Sequence, residues 1–351
     1  MSLALPPPQK LVRLQNLECR SPAPTDFEKF WLSSYNQLIS SPLEFREHTP
    51  QESLPDLDNH LISYSLRTHD GEQLWVYASR PTEERAHFPL LITTHGYNGS
   101  IEPERVRRLT ALGFNVLAFD VRSFGLSRSA NARISAWGWV CEGLESKENS
   151  IIHQSILDFL QVARLGNRLF PEARQKTYQG FSLAGGLTLM ATGLLSLAIE
   201  NQLPEAETLY PNVLACGAPT FGDWTRRLQY AEAGSAKEVA DFLRAFPQQR
   251  GRVMNTLAYL DTTCWGSYLD TLPNLPQLQI VGGVGLIDPI VPPETVYPIF
   301  NAIPQEYELQ EFPCSHTNYH EEAAWARWEK TWIKRGLDVA SAEATTIPTH
   351  Q

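Results

Sequence analysis

The sequence predicts an α/β fold: a mostly parallel sheet with helices on both faces, preceded by an antiparallel hairpin and carrying a small helical insertion. Three observations predict it. After about residue 90, short apolar runs alternate with helix-patterned stretches, which is how a parallel sheet covered on both sides is built. Before that point, two alternating runs, Leu61–Arg67 and Gln73–Ser79, flank Asp70-Gly71, a hairpin turn signal. From Trp224 to Arg250 the strand–helix rhythm stops and a mostly helical pattern takes its place.

The elements follow in order. Pro6, Pro7 and Pro8 open an N-terminal extension, residues 1–23. A helix is expected from about Pro24 to Ser40. Pro24 and Thr25 begin it, Asp26 and Glu28 suit its first turn, and Phe27, Phe30 and Trp31 share one face. Strands are expected at Pro89–Thr94, Asn115–Phe119, Gln175–Gly180, Val213–Gly217, Leu278–Val284 and Tyr307–Glu311. Helices are expected near 103–111, 148–164, 183–198, 294–301 and 319–335. One domain is expected over 24–337, with the insertion at about 223–252, and a polar tail over 338–351.

Composition narrows the function. With 351 residues, 42% of them apolar and 19% charged, the chain can bury a large core. A formal charge of −10 and a pI near 5.4 argue against a nucleic-acid partner, which needs a basic face, and against docking on anionic membrane. No run of eighteen or more apolar residues predicts a membrane span, and the start MSLALPPPQK lacks the pattern of a signal peptide. Cys19, Cys141, Cys216, Cys264 and Cys314 are scattered, which fits reduced thiols in a cytoplasmic protein. No phosphate-binding glycine loop and no histidine-rich metal pattern occurs, so no cofactor and no metal are expected.

One motif carries chemistry. In Tyr178-Gln179-Gly180-Phe181-Ser182-Leu183-Ala184-Gly185-Gly186, Ser182 follows an expected strand and precedes the helix-forming run Leu187–Leu195. Acyl-transfer enzymes place a nucleophilic serine on such a strand-to-helix turn. Small residues two before and two after it, here Gly180 and Ala184, let strand and helix pass closely. The bland alternative is a glycine-rich turn with a solvent-facing serine.

A tetrahedral intermediate needs two fixed N–H donors. One is expected from Leu183, the residue after the nucleophile. The other is expected from Tyr97, in the loop Thr94-His95-Gly96-Tyr97-Asn98-Gly99 that follows an earlier strand. His95 reads as a brace of this loop, with a general-base role as the alternative. In this fold the chain order is serine, acid, histidine. Only His316, His320 and His350 follow Ser182, and His350 sits in the tail. His316, just past the last strand, is favoured as base over His320, in the first turn of the last helix. Asp288, in Gly285-Leu286-Ile287-Asp288-Pro289, is favoured as orienting acid over Asp261 and Asp270, because it closes a strand.

These residues resemble the acetyl xylan esterase and cephalosporin-C deacetylase family of α/β-hydrolases. The resemblance runs over about residues 20–337. It rests on Pro24-Thr25-Asp26-Phe27-Glu28-Lys29-Phe30-Trp31, His95-Gly96-Tyr97-Asn98-Gly99, Asp120-Val121-Arg122-Ser123-Phe124-Gly125-Leu126-Ser127, and Gly285-Leu286-Ile287-Asp288 with Pro292-Pro293. It implies an α/β-hydrolase fold and a serine esterase that removes short acyl groups, chiefly acetyl, from alcohol or saccharide esters. It implies Ser182, Asp288 and His316 as triad, Tyr97 and Leu183 as oxyanion donors, and a ring-like homo-oligomer. The sequence departs from the family pattern at three places. Leu183-Ala184 stands where glutamine-glycine is usual, Glu142-Gly143 where arginine-glycine is usual, and Ser123-Phe124-Gly125 where glycine-glutamine-glycine is usual. These departures favour a more apolar ester or altered oligomer contacts.

Two other functional classes stay open: a hydrolase of longer acyl esters or peptides on the same triad, and a non-catalytic binding protein on a hydrolase fold. Trp325, Trp328 and Trp332 recur at helical spacing and read as a core stripe rather than a sugar platform. Trp137 and Trp139 line a pocket or anchor a loop, and Glu142, Glu145 and Glu148 read as a solvated face.

Overall fold

A nine-stranded sheet organises the chain, with strand order β1-β2-β3-β5-β4-β6-β7-β8-β9. The computed structural model describes residues 8–20, 22–48, 61–83, 87–128, 134–316 and 322–344. The strands are β1 (Phe45–His48), β2 (Leu61–Arg67), β3 (Gln73–Ser79), β4 (Leu90–Thr94), β5 (Asn115–Phe119), β6 (Lys176–Phe181), β7 (Val213–Gly217), β8 (Gln279–Gly285) and β9 (Glu308–Phe312). From β1 to β5 the pairings are antiparallel, and from β5 through β4 to β9 they are parallel. This is the predicted α/β-hydrolase layout. The sequence reading finds every strand but β1, within one residue at each end. β1 reads Phe45-Arg46-Glu47-His48 and lies on the sheet edge, largely exposed, so it carries no apolar alternation to reveal it.

The helices are α1 (Pro8–Gln15), α2 (Phe27–Ser40), α3 (Pro103–Ala111), α4 (Ile151–Leu169), α5 (Leu183–Glu200), α6 (Ala206–Leu209), α7 (Trp224–Arg227), α8 (Gly234–Ala245), α9 (Arg250–Tyr259), α10 (Pro293–Asn301) and α11 (Glu322–Ala344). The central strands are buried on both faces, and alternate side chains feed two cores. Leu90, Ile92, Leu117, Leu214 and Ile280 join α2, α4 and α5 on one side. Leu91, Val116, Ala215 and Val281 join Leu109 of α3 and Trp328 and Trp332 of α11 on the other. The tryptophan stripe is therefore core, as the spacing predicts. α5 is long and apolar enough by composition to cross a membrane, yet 89% of it is buried as the central core helix.

Four boundaries differ from expectation. α2 begins at Phe27, not Pro24, with Asp26 at its N-cap position. α4 runs from Ile151 to Leu169, because Gly143, Ser146 and Ser150 hold the preceding residues in turns. α11 continues to Ala344, so residues 338–344 of the expected tail are helical. The insertion does not stop near 252: helical turns persist to Tyr268. Its base is tied by Asp261, whose carboxylate accepts from Asp223 N (2.8 Å) and Trp224 N (3.0 Å). Within the N-terminal extension, α1 lies against α10, where Asn301 Nδ2 donates to Leu17 O at 2.9 Å.

The sheet order positions the site. From β4 the chain crosses through α3 to β5 on one side, whereas β6 adjoins β4 on the other. The order reverses between β4 and β6, so a crevice opens at their carboxyl ends. The loop after β4 holds Tyr97, and the turn after β6 holds Ser182.

Candidate active site

Ser182 sits between β6 and α5 with φ 59° and ψ −116°. A β-carbon at positive φ is strained by about 1–3 kcal/mol, and such strain persists only where the surroundings impose it. Here they do. Ser182 N donates to Gly217 O (2.9 Å), while its carbonyl accepts from Gly186 N (3.0 Å) and Thr220 N (3.2 Å). Gly180 must be glycine, since a Cβ there would lie 2.2 Å from the Ala184 backbone. Ala184, where glycine is usual, is fully buried, and the two positions after it, Gly185 and Gly186, have no room for a Cβ. A Cβ on Gly185 would lie 2.8 Å from Gly217 O.

The structure brings Ser182, His316 and Asp288 together. His316 Nε2 lies 2.9 Å from Ser182 Oγ, and His316 Nδ1 lies 2.6 Å from Asp288 Oδ2. All three side chains are nearly covered, at 7%, 7% and 3% exposure. The other Asp288 oxygen accepts from Ile290 N (2.8 Å) and Val291 N (2.9 Å). Those two N–H groups fix the carboxylate as acceptor, so His316 donates through Nδ1 and keeps a lone pair on Nε2 for the serine proton. The acid and base loops are bonded to each other: Leu286 N donates to Phe312 O (2.8 Å) and Ile287 N to Cys314 O (3.2 Å). The Phe181 ring covers the imidazole at 5.0 Å and is backed by Trp325 at 4.7 Å.

The rivals lie elsewhere. Asp261 is buried at the base of the insertion, where Thr263 N (3.0 Å) and Thr263 Oγ1 (2.6 Å) also donate to it. Asp270 is exposed and accepts from Thr271 N at 2.7 Å. His320 and His350 lie outside the described residues. His95 braces its loop. Its Nε2 accepts from Val121 N (3.0 Å), so Nδ1 donates to Gly96 O (2.7 Å), and burial holds its pKa below the usual histidine value.

The two expected oxyanion donors lie in the segments that follow β4 and β6. Leu183 is the first residue of α5, where a backbone N–H has no partner within the helix. Tyr97 is set by its own side chain. Its ring is held edge-on by Phe124 (5.8 Å) and Trp139 (5.7 Å). Its hydroxyl accepts from Val140 N (3.1 Å) and donates to Glu238 of α8. Burial and this carboxylate push the phenol pKa far up, so Tyr97 stays neutral. Glu238, whose own pKa burial raises, is a site residue the sequence reading misses. No motif marks it; only the fold of the insertion carries it to the loop after β4.

The family departures have local explanations. Leu183 is fully buried and extends the core instead of presenting an amide. Phe124 stacks on Trp139 at 5.4 Å behind Tyr97. Trp139 donates Nε1 to Arg122 O (3.0 Å) and so anchors the loop, whereas Trp137, 36% exposed, packs on Phe242 and Phe246 of the insertion. Glu142 is half-buried, and Glu145 and Glu148 are exposed. Arg122 is buried between Asp158 (2.6 Å) and Asp70 (2.8 Å), which keeps this segment in place. Among the described residues no cluster of histidine, cysteine and acidic groups could hold a metal ion.

Known proteins share this fold. The family model described as "Acetyl xylan esterase (AXE1)" matches residues 7–332. The chain belongs to the acetyl xylan esterase family. Among solved structures, the acetyl xylan esterase from Paenibacillus sp. R4 superposes with a TM-score of 0.76 at 22% identity, covering 91% of this chain and 99% of that one. Acetyl xylan esterase 1 from Thermoanaerobacterium sp. JW/SL YS485 gives 0.76 at 21% identity, covering 95% and 99%. Brefeldin A esterase, a bacterial homologue of human hormone-sensitive lipase, shares the fold at a TM-score of 0.51 and 15% identity, covering 97% and 93%. As a member of the acetyl xylan esterase family, the protein is a carboxylic ester hydrolase of the serine α/β-hydrolase type.

Proposed function

We propose that this esterase removes acetyl and other short acyl groups from alcohol or saccharide oxygens through an acyl-enzyme on Ser182. The observation that carries the reading is the continuous hydrogen-bonded chain from Ser182 Oγ through His316 to Asp288, ending on two backbone N–H groups. His316 Nε2 takes the serine proton as Oγ attacks the ester carbonyl. The N–H groups of Tyr97 and Leu183 receive the negative charge on the carbonyl oxygen. The C–O bond breaks, and the alcohol leaves with the proton from His316. Water, deprotonated by His316, then attacks the acyl-serine, and the short acid departs.

The site does this chemistry without a cofactor. The five cysteines are free and scattered, which supports a reducing, cytoplasmic setting. A homo-oligomer remains part of this reading. The test is hydrolysis of p-nitrophenyl acetate by the wild type beside Ser182→Ala. Activity in the wild type alone is the expected result, and equal activity in both overturns the assignment.

A further inference from the structure

Phe181 is the last residue of β6 and stands next to Ser182 in the chain. Its ring meets the His316 imidazole at 5.0 Å between centroids, with 39° between the planes. On its other side the ring meets Trp325 of α11 edge-on at 4.7 Å, and Trp325 packs on Phe312 of β9 at 4.8 Å. The stack therefore runs from the base, through the residue before the nucleophile, back to the strand that carries the base loop.

The sheet is shaped to seat these rings. A Cβ on Gly217 of β7 would lie 2.8 Å from Phe181 Cδ2, and one on Gly283 of β8 would lie 2.7 Å from Trp325 Cζ3. Carbon atoms pack at about 3.5–4.0 Å, so a side chain at either position would push a ring out of its seat. With Gly217 beneath it and Trp325 and Trp328 (6.3 Å) against it, the Phe181 ring has little room to tilt away from His316.

Among the described residues, Asp288 at Nδ1, Ser182 at Nε2 and Phe181 against the ring hold the imidazole. The serine contact is lost during turnover. In the acyl-enzyme, Ser182 Oγ is bonded to the acyl carbon and has no proton to donate, so Nε2 loses this tie. Of the two polar ties, that of Asp288 remains, at a single ring atom. Nε2 must still take a proton from water as the water oxygen attacks the acyl carbon. It returns that proton to Oγ as the bond between Oγ and the acyl carbon breaks and the acid departs.

We infer that Phe181 is a positioning residue: its ring, seated on Gly217 and Trp325, keeps the His316 imidazole in place while Ser182 is acylated. It therefore serves release of the acyl group more than transfer of that group to the serine. The inference rests on the esterase reading given above.

The test follows p-nitrophenyl acetate through the wild type, Phe181→Leu and Phe181→Tyr. The value of kcat/KM reports acylation, and decay of the acetyl-enzyme in quenched-flow mass spectra reports deacylation. In Phe181→Leu, deacylation should slow about three- to tenfold, the scale of one aromatic pair, while kcat/KM changes less than about twofold. Phe181→Tyr keeps the ring and should restore deacylation. Unchanged deacylation in Phe181→Leu overturns the inference. So does an equal fall in both steps, which is what a general loss of packing produces, and so does a Phe181→Tyr variant as slow as Phe181→Leu. Should Phe181→Leu fail to fold by circular dichroism, a crystal structure of the wild type phosphorylated on Ser182 by diethyl p-nitrophenyl phosphate decides. An imidazole still against Phe181 supports the inference, and one swung away overturns it. A wild type that releases no p-nitrophenolate from the acetate refutes the esterase reading itself, whereas wild-type turnover with unchanged deacylation in Phe181→Leu refutes only the role of Phe181.

Discussion

Replacing Asp288 with asparagine tests how the acid loop sets the imidazole. The change keeps size and removes the charge. Asparagine has one acceptor oxygen, and the backbone N–H pair and the imidazole compete for it. Ile290 N and Val291 N lie 2.8 and 2.9 Å from Oδ1 and cannot turn away, because the loop carries Pro289, Pro292 and Pro293. If the amide oxygen faces them, the amide NH2 faces His316 Nδ1. Nδ1 must then accept, the ring proton moves to Nε2, and the serine loses its base. The flipped amide would restore the tautomer but set its NH2 against two backbone N–H groups. Losing two buried hydrogen bonds costs about 2–6 kcal/mol, so the unproductive tautomer prevails. The expected fall in kcat is about 10⁴-fold, or roughly 5.5 kcal/mol in the barrier, at nearly unchanged stability. Steady-state hydrolysis of p-nitrophenyl acetate and a urea melt would measure both. A variant that keeps more than about a tenth of wild-type kcat refutes the tautomer argument.

Two further predictions follow from the packing. Glu238→Ala removes the acceptor of the Tyr97 hydroxyl and loosens the donor loop, so kcat on p-nitrophenyl acetate should fall about tenfold while Glu238→Gln keeps most activity; equal kcat in the two variants would show that Glu238 does not position Tyr97. His153 is buried, with Nδ1 donating to Glu148 O (3.1 Å) and Nε2 2.8 Å from Ser34 Oγ, and burial drives its pKa down to about 3. Between about pH 6.5 and 3 the unfolded chain binds a proton that the folded chain refuses, so this stability is present above pH 6.5 and is lost as the pH falls, at up to about 1.4 kcal/mol per pH unit. Urea melts from pH 7 to 4 should show a shallower loss for His153→Gln, and identical slopes would refute the assignment.

The sequence by itself determined the sheet and the residues of the candidate site. Parallel strands buried on both faces must be short and apolar throughout, so β4, β5, β6, β7 and β8 stand out in the chain. Ser182 was legible because a nucleophile on a strand-to-helix turn demands small neighbours, and Gly180 and Gly185 are forced by contacts of 2.2 and 2.8 Å. Asp288 and His316 were legible because each ends a strand, and the carboxyl ends of parallel strands converge. Edge strand β1 was not, because its residues meet solvent. The insertion was read only as helical, and its span was underestimated, since Asp261 closes it across 38 residues through backbone N–H groups that leave no trace in composition. Glu238 joined the candidate site only when that insertion folded against the loop after β4. Local sequence encodes periodicity and turn geometry. The meeting of α8 with the loops after β4 and β8 is set by long-range packing, so only the tertiary structure decided which charges surround the serine.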